Sequence, residues 1–209
     1  MQLKPMLIIF SVLSYATSLN AEVLIYRPVT VPRIEMEDQF QKPYRLDNYK
    51  GDVVILLFGD KEGADANKIL GQTIHESFHP QAKGKNPGQA RFAPVLEIVN
   101  QPPGTRAPEV HTIAVASIGK VPNLIKVFIR NQFQKASPEV PVWLDFNETM
   151  RTTFKFKPSS ANLVVIDPRG NLRLSASGNL TQAEFTDLVN AIEGIRVESV
   201  NAQIMPKAP

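Results

Sequence analysis

Residues 52–65 of this chain, DVVILLFGDKEGAD, constrain the fold more than any other stretch. An almost unbroken apolar run over residues 53–59 is followed by an acidic, glycine-containing turn and then by a helix-forming stretch over residues 64–78. A short apolar run bounded by turn signals is typical of a strand covered on both faces, so we predict the central strand of an α/β sheet. Open α/β folds carry their ligand or chemistry at the turn that follows such a strand.

Length and composition indicate one ordinary globular domain. A chain of 209 residues is long enough to bury a core of its own. A hydrophobic fraction of 43% with a charged fraction of 21% excludes wholesale disorder. The formal net charge of +3 is scattered along the sequence, so there is no basic stripe and we expect no nucleic-acid partner.

The first residues have the pattern of a secretory signal peptide over residues 1–21. Lys4 supplies the positive region, residues 6–13 the apolar region, and small or polar residues lead to Ala21. We expect cleavage after Ala21, or elsewhere between about residues 16 and 21. The apolar region is too short to span a bilayer and no later stretch is a candidate, so we expect no transmembrane segment in the mature chain. The protein is therefore predicted to be periplasmic or secreted.

The chain contains no cysteine. In an exported protein this removes disulfide bonds, so stability has to come from core packing. It also excludes thiol–disulfide exchange, thiol-dependent peroxidase activity and a lipoprotein anchor, because each needs a thiol.

The rest of the chain alternates between strand and helix patterns after an extended arm over residues 22–33. Strand patterns cover residues 110–117, 140–146, 163–166 and 172–176, and helix patterns cover residues 121–133, 148–154 and a stretch after a Thr181–Glu184 capping box. Helical spacing predicts one buried stripe in each of the two main helices: Ile69, Leu70, Ile74 and Phe78 in the first, and Leu124, Ile125, Phe128 and Ile129 in the second.

Two stretches lack such patterns. Residues 80–108 contain six prolines and three glycines and are predicted to be a long, irregular, basic insert, with one short strand at residues 95–99. A loop of this length is functional, disordered or a surface decoration, and we favour decoration. Residues 196–209 are predicted to be a loose C-terminal tail.

Several phrases resemble the thioredoxin superfamily over roughly residues 34–195. KPYRLDNYKGDVVILLFG is similar to the opening of peroxiredoxins and TlpA-like proteins, and LVVIDPRGNLRL is similar to the late hairpin. VWLDFNETMRTTF and SANLVVIDPRGNLRLSASGNLTQAEF resemble the YtfJ-type exported bacterial proteins, whose function is unresolved. The resemblance implies a thioredoxin-like three-layer sandwich, with a mixed central sheet, helices on both faces and a long insert after the first core helix.

The same resemblance implies that the redox site is missing. Redox members follow the central strand with an aromatic-Cys-x-x-Cys turn, where the helix N-terminus lowers the pKa of the reactive thiol. Those cysteines correspond approximately to Gly63 and Ala66 here. The cis-proline of the family corresponds approximately to Ala161, with Pro158 close but out of place.

Residues 75–79, HESFH, form a literal H-E-x-x-H motif. In zinc peptidases the two histidines bind the metal from one helix face and the glutamate activates a water molecule. Here Pro80 ends the helix at the second histidine and no third-ligand motif follows. We therefore favour a helix end with two partly exposed histidines. A metal-binding protein or zinc-dependent hydrolase that uses His75, Glu76 and His79 is the alternative.

Charged residues offer two further sites. Asp60, Glu62 and Asp65 are able to hold a hard cation such as calcium, but carboxylates in a first helical turn more simply cap free N–H groups and complement the helix dipole, and we favour capping. The insert carries basic residues that would suit an acidic partner, and surface solvation is the favoured interpretation: Lys83, Lys85, Arg91 and Arg106.

Taken together, the sequence predicts an exported, redox-inactive, thioredoxin-like binding or accessory module of the cell envelope, without a cofactor. Its partner is an envelope protein or a small ligand. The predicted binding face consists of Gly59, Asp60, Lys61, Glu62, Gly63, Asp65 and Ala161.

Overall fold

The computed structural model describes residues 21–205, which form a mixed sheet with helices on both faces. The strands are β1 (Glu22–Thr30), β2 (Glu35–Asp38), β3 (Pro43–Arg45), β4 (Val53–Gly59), β5 (Val110–Ser117), β6 (Val142–Asp145), β7 (Asn162–Ile166) and β8 (Asn171–Ser177). The helices are α1 (Ala64–Phe78), α2 (Pro87–Ala90), α3 (Asn123–Ala136), α4 (Thr149–Thr153) and α5 (Gln182–Ile204), with 3₁₀ turns at Leu46–Tyr49 and Pro80–Ala82. Nearly all of the predicted signal peptide, residues 1–20, lies outside the described residues.

Strand β4 lies inside the sheet, whose order is β1-β8-β7-β4-β5-β6-β2-β3. It pairs in parallel with β5 and antiparallel with β7, and all of its residues are buried. Because side chains alternate along a strand, Val53 and Ile55 pack beneath α1 and α5, whereas Val54 and Leu56 pack on the opposite face. The structure therefore confirms the prediction of a central strand covered on both faces.

The extended arm contributes a strand to the same sheet. Residues 22–30 form β1, which pairs antiparallel with β8 at one edge. The structure differs from prediction at the other terminus. Helix α5 continues to Ile204, so the tail predicted from residue 196 is wrong for residues 196–204. Packing and hydrogen bonds hold this part of the helix on the domain. Arg196 is fully buried and donates to the carbonyl oxygens of Leu96 and Pro108, Val200 is buried, and Gln203 bonds to the backbone of Arg106.

The insert is packed against the domain. Residues 95–99, which the structure describes, are not in a strand, so that prediction is wrong. The backbone N–H of Leu96 instead donates to the carbonyl oxygen of Phe78, and Ala93 and Ile98 are buried. Pro94 before this segment and Pro102 after it disfavour strand pairing. Val95 packs partly against the core beneath α1 and α5, whereas Leu96 and Val99 are exposed.

Two predicted buried stripes need correction. In α1, Ile74 and Phe78 are buried as predicted, but Ile69 is exposed. In α3 the predicted inward face is wrong for Leu124, Ile125 and Phe128, which are exposed, whereas Ile129 is half-buried. Among the described residues, no helix combines the length and apolar character needed to cross a membrane.

Candidate functional site

The turn between β4 and α1 is tied to the loop that precedes β7. The Asp60 carboxylate accepts hydrogen bonds from the backbone N–H of Gly63 at 3.0 Å and from that of Ser159 at 2.9 Å. Ser159 has a φ of 55°, an unfavourable backbone conformation for serine, and its bond to Asp60 helps to hold it there. Asp60 therefore satisfies a backbone N–H just before α1, which agrees with the capping interpretation for this one residue, and bridges the turn to the loop.

Backbone packing closes the space between this turn and loop. A Cβ atom placed on Gly63 would overlap the carbonyl oxygen of Ser160 and lie 2.9 Å from its carbonyl carbon. Glycine is therefore the residue that fits at position 63 without movement of the loop. Gly63 lies approximately where the resemblance puts a reactive cysteine of redox relatives. In this chain the corresponding space is filled by backbone.

Two asparagines complete this connection, which we call the clasp (Asp60, Gly63, Asn67, Ser159, Ser160 and Asn162). Asn67 Oδ1 accepts from the backbone N–H of Asn162 at 3.1 Å, and the Asn162 side chain donates to the carbonyl oxygens of Lys157 and Ser160. Sequence reasoning missed both asparagines. Asn67 bonds to a loop that only the β4–β7 pairing brings near, and Asn162 bonds to carbonyl groups within its own irregular loop.

The predicted binding face is divided by the clasp. Lys61 and Glu62 are exposed on the turn, Asp65 is exposed in the first turn of α1, and Asp60 is half-buried. Gly59 and Gly63 are buried, and Ala161 is only 3% exposed. What the turn offers a partner is a short charged edge, rather than a cleft with a nucleophile and a base.

The H-E-x-x-H residues lie beside the insert. The rings of His75 and His79 stack with their centroids 4.2 Å apart. His79 is buried, with Nδ1 2.9 Å from the carbonyl oxygen of Ala93 and Nε2 3.0 Å from that of Val110. The expectation that both histidines are partly exposed is therefore wrong for His79, because these carbonyl groups need a buried polar partner.

His75 has oxygen partners as well. Its Nε2 lies 3.1 Å from the carbonyl oxygen of Ala90 and its Nδ1 lies 3.4 Å from Thr112 Oγ1. Burial holds the pKa of His75 below its ordinary value, although the bond to Ala90 acts in the opposite direction. The Glu76 carboxylate accepts from Gln72 at 2.8 Å. The two histidines thus fasten the insert to the domain.

These residues do not form a geometric metal centre. Within residues 21–205, His, Asp and Glu side chains do not gather in any group of three or more that is suited to a metal ion. Zinc binding by His79 would cost one of its two backbone carbonyl partners, whereas on His75 only Nε2 has such a partner and Nδ1 lies near the Thr112 hydroxyl.

The opposite end of the sheet holds a second polar group, which sequence reasoning did not find. Asp52, just before β4, lies 3.0 Å from Nε2 of His111 and accepts from Arg106 and from the backbone N–H of Glu109. Burial by itself would raise the pKa of Asp52, but these hydrogen bonds together hold the pKa of Asp52 below its ordinary value. The parallel register that pairs Val54 with His111 brings the group together.

A cavity of about 170 Å³ lies at this same end of the sheet. Its floor includes Val54 and Ile166, and its wall includes Arg33, Lys50 and Arg169. Lys50 is paired with Asp47 and Arg33 with Glu35, so the basic side chains are partly neutralised. The cavity is smaller than the pockets that hold drug-sized ligands.

The layers, the strand order and the clasp define a thioredoxin-like α/β protein without redox residues. The structure is similar to a candidate protein disulfide isomerase from Bacteroides thetaiotaomicron, with a TM-score of 0.53, 16% identity and coverage of 88% of this chain and 99% of that chain. It is also similar to a secreted thiol-disulfide isomerase from Corynebacterium glutamicum, with a TM-score of 0.50, 13% identity and coverage of 86% and 92%. At these identities the likeness establishes the fold.

Comparison of the sequence itself gave no relatives: no protein-family profile and no curated protein matches it. The predicted thioredoxin-like fold is thus confirmed by structure alone. Both structural neighbours are named for thiol–disulfide chemistry, whereas this chain has no cysteine.

Proposed function

We propose that this protein is an exported, redox-inactive, thioredoxin-like module that binds a partner in the cell envelope. One observation carries the redox-inactive part: the chain contains no cysteine. In agreement with this, the backbone of Gly63 packs on Ser160 approximately where the resemblance puts a reactive thiol. A thiol enzyme needs an exposed sulfur at the helix N-terminus, and this chain has none to offer.

The location of the protein is the second part of the proposal. The signal-peptide pattern over residues 1–21 supports a periplasmic or secreted protein. The Corynebacterium glutamicum neighbour is named as secreted, which agrees with this location. The phrases similar to YtfJ-type exported proteins support the same reading. Fractionation of cells that express the chain is expected to find it outside the cytoplasm with a shortened N-terminus, and an unshortened cytoplasmic chain would contradict export.

The exposed charged edge of the turn, Lys61, Glu62 and Asp65, is the proposed meeting point with a partner. These side chains project from a turn that the clasp holds rigid, so a partner would meet a preformed surface and lose little conformational entropy on binding. The partner belongs to one of two chemical classes, an envelope protein or a small ligand.

Site-specific photo-crosslinking in intact cells tests the binding role. A photoreactive residue at position 62 or 65 is expected to give a discrete adduct, while the same residue at Gln182, an exposed position at the start of α5, serves as the matched control. Equal labelling at all three positions would contradict the proposed binding face. So would the absence of any adduct at positions 62 and 65, if small ligands also leave the NMR resonances of the turn unshifted.

We propose that the module works without a cofactor, and zinc content distinguishes this from the metal-binding alternative. The untagged protein is purified and its bound zinc is measured, with His75→Ala as the variant because His75 is less buried than His79. Substoichiometric zinc that does not depend on His75 is expected. One zinc per chain, lost in His75→Ala, would favour a metal site at His75, Glu76 and His79.

A further inference from the structure

Helix α3 turns apolar side chains away from the rest of the protein. None of its residues, all of which the structure describes, is buried. Four large apolar side chains are exposed: Leu124 (81%), Ile125 (44%), Val127 (54%) and Phe128 (60%). Leu124 and Phe128 are one helical turn apart and so project side by side, with Ile125 and Val127 on either flank. We call these four residues the α3 patch.

Polar contacts on the other side of α3 fix this orientation. Arg130 donates to the Glu37 carboxylate at 2.6 Å, and its guanidinium lies 5.2 Å from the ring centroid of Phe146. Lys126 lies over the same ring at 5.2 Å, and Gln134 donates to the backbone carbonyl of Gln39 at 2.8 Å. An amphipathic helix normally buries its apolar side. The half-buried positions of α3 include Ile129 and Phe133 as well as these polar residues, so apolar side chains occur on both sides of the helix and the polar contacts hold the α3 patch outward.

The charges around the α3 patch determine what kind of surface suits it. Residues 118–136 contain four basic residues and no acidic residue: Lys120, Lys126, Arg130 and Lys135. Lys120 and Lys135 are exposed and flank the α3 patch. A second copy of this chain would bring like charges together across a two-fold axis, which disfavours self-association. The complementary surface is anionic.

The short length of the apolar stripe helps to choose between two kinds of anionic surface, the groove of a partner protein and a lipid bilayer. A helix bound in the groove of a partner protein uses anchors at i, i+3, i+4 and i+7. Leu124, Val127 and Phe128 fill the first three positions, but the fourth is Asn131, and Lys135 follows one turn later. A compact apolar tip with lysines beside it is instead typical of a helix that sits in the interface of a bilayer.

We propose that the α3 patch binds the surface of a bilayer that contains anionic lipids. Leu124 and Phe128 enter the boundary between headgroups and acyl chains, and Lys120 and Lys135 contact lipid phosphates. This site is separate from the charged edge of the β4–α1 turn, and its test does not depend on the proposed function.

Vesicle co-sedimentation tests the proposal directly. The purified protein is mixed with vesicles of phosphatidylcholine alone or of phosphatidylcholine with about 30% phosphatidylglycerol. The test variant is Leu124→Ser/Phe128→Ser. The matched control is Phe92→Ser/Val99→Ser, which removes two equally exposed apolar side chains from the insert. All of these chains share one N-terminus, so any contribution of residues 1–20 is common to them. Thermal unfolding checks that each variant is folded, with Leu124→Ser alone as the reserve.

The expected result is binding to anionic vesicles that is at least about tenfold weaker in Leu124→Ser/Phe128→Ser and unchanged in the control. Lys120→Glu/Lys135→Glu and an increase in ionic strength from about 0.05 to about 0.5 M are each expected to weaken binding, because lipid phosphates attract these lysines over a screened distance. Absence of binding to anionic vesicles, equal binding to neutral vesicles, or equal losses in the patch and control variants would overturn the proposal.

Discussion

The two ends of the sheet are built in opposite ways. At the carboxyl end of β4, the backbone of Gly63 packs on the backbone of Ser160. The polar side chains of Asp60 and Asn67 accept hydrogen bonds from backbone N–H groups within the clasp. At the amino end, Asp52 pairs with His111, whose side chain is 32% exposed, and a cavity lined in part by Val54 lies at the same end. The end that carries chemistry in thioredoxin-like enzymes is a structural joint here. Position within a fold therefore does not by itself locate a function.

The largest expected effect comes from a single methyl group in the clasp. Gly63→Ala is expected to lower the free energy of unfolding by about 3 kcal/mol, because its Cβ overlaps the backbone of Ser160. Chemical denaturation measures this loss. Gly194→Ala in α5 is the control: its described surroundings leave open space within 4 Å, and the change is expected to stabilise by about 1 kcal/mol. If Gly63→Ala is as stable as wild type, the backbone contact is wrong.

At the other end of the sheet, Asp52→Ala is expected to cost about 2 kcal/mol of unfolding free energy. The change leaves the N–H of Glu109, the ring of His111 and the guanidinium of Arg106 without their acceptor. Asp47→Ala, which removes an exposed pair with Lys50, is the control and is expected to leave the melting temperature unchanged. Equal melting temperatures for the two variants would show that the Asp52 group is not formed.

Within the clasp, Asp60→Ala is expected to have a smaller effect, about 1 kcal/mol, because a capping carboxylate is lost while the backbone packing of Gly63 remains. Urea denaturation measures this difference. Asp65→Ala, at an exposed position in the first turn of α1, is the control and is expected to change stability by less. A larger loss for Asp65→Ala than for Asp60→Ala would contradict the bridging role of Asp60.

The smallest expected effects are on the pH dependence of the free energy of unfolding. The pKa of His75 lies below its ordinary value of about 6.5, so the unfolded chain binds more protons near that pH than the folded chain does. His75 therefore makes its full contribution to the free energy of unfolding above about pH 6.5, and this contribution is lost as the pH falls through the pKa of the folded state. His75→Gln is expected to flatten the unfolding free energy over this range, and an unchanged slope would contradict the burial of His75.

Asp52 acts in a more acidic range. The pKa of Asp52 is below the ordinary aspartate value of about 3.9. Its contribution to the free energy of unfolding is therefore complete above about pH 3.9 and is lost as the pH falls through the pKa of the folded state. Acid unfolding followed by circular dichroism is expected to be less steep in Asp52→Asn than in wild type. A parallel shift of the whole curve without a change in steepness would contradict the linkage.

Local patterns in the sequence were enough to predict much of the fold. The apolar run of β4 predicted a buried central strand, and the Thr181–Glu184 capping box begins α5 as expected. The orientation of α3 was not predictable, because apolar residues occur on both sides of this helix and the choice between them is made by Arg130 and Glu37, which are distant in sequence.

The candidate site was harder to predict from the sequence, because its side chains also bond to partners that are distant in sequence. Asp60 was predicted to cap its own helix, but its second partner, Ser159, lies in a loop that only folding brings near. Arg196 looked like the start of a polar tail because its acceptors, the carbonyl groups of Leu96 and Pro108, belong to the irregular insert. Long-range backbone acceptors leave no signal in residue spacing.

Amide hydrogen exchange at the clasp tests the central claim most directly. If the clasp closes this end of the sheet, the N–H groups of Gly63, Ser159 and Asn162 are expected to exchange at least about a hundredfold more slowly than in an unstructured peptide. Asp60→Ala is expected to speed up exchange at Gly63 and Ser159, whose acceptor it removes. Exchange of all three at unstructured-peptide rates in the folded wild-type protein would show that this end of the sheet is open.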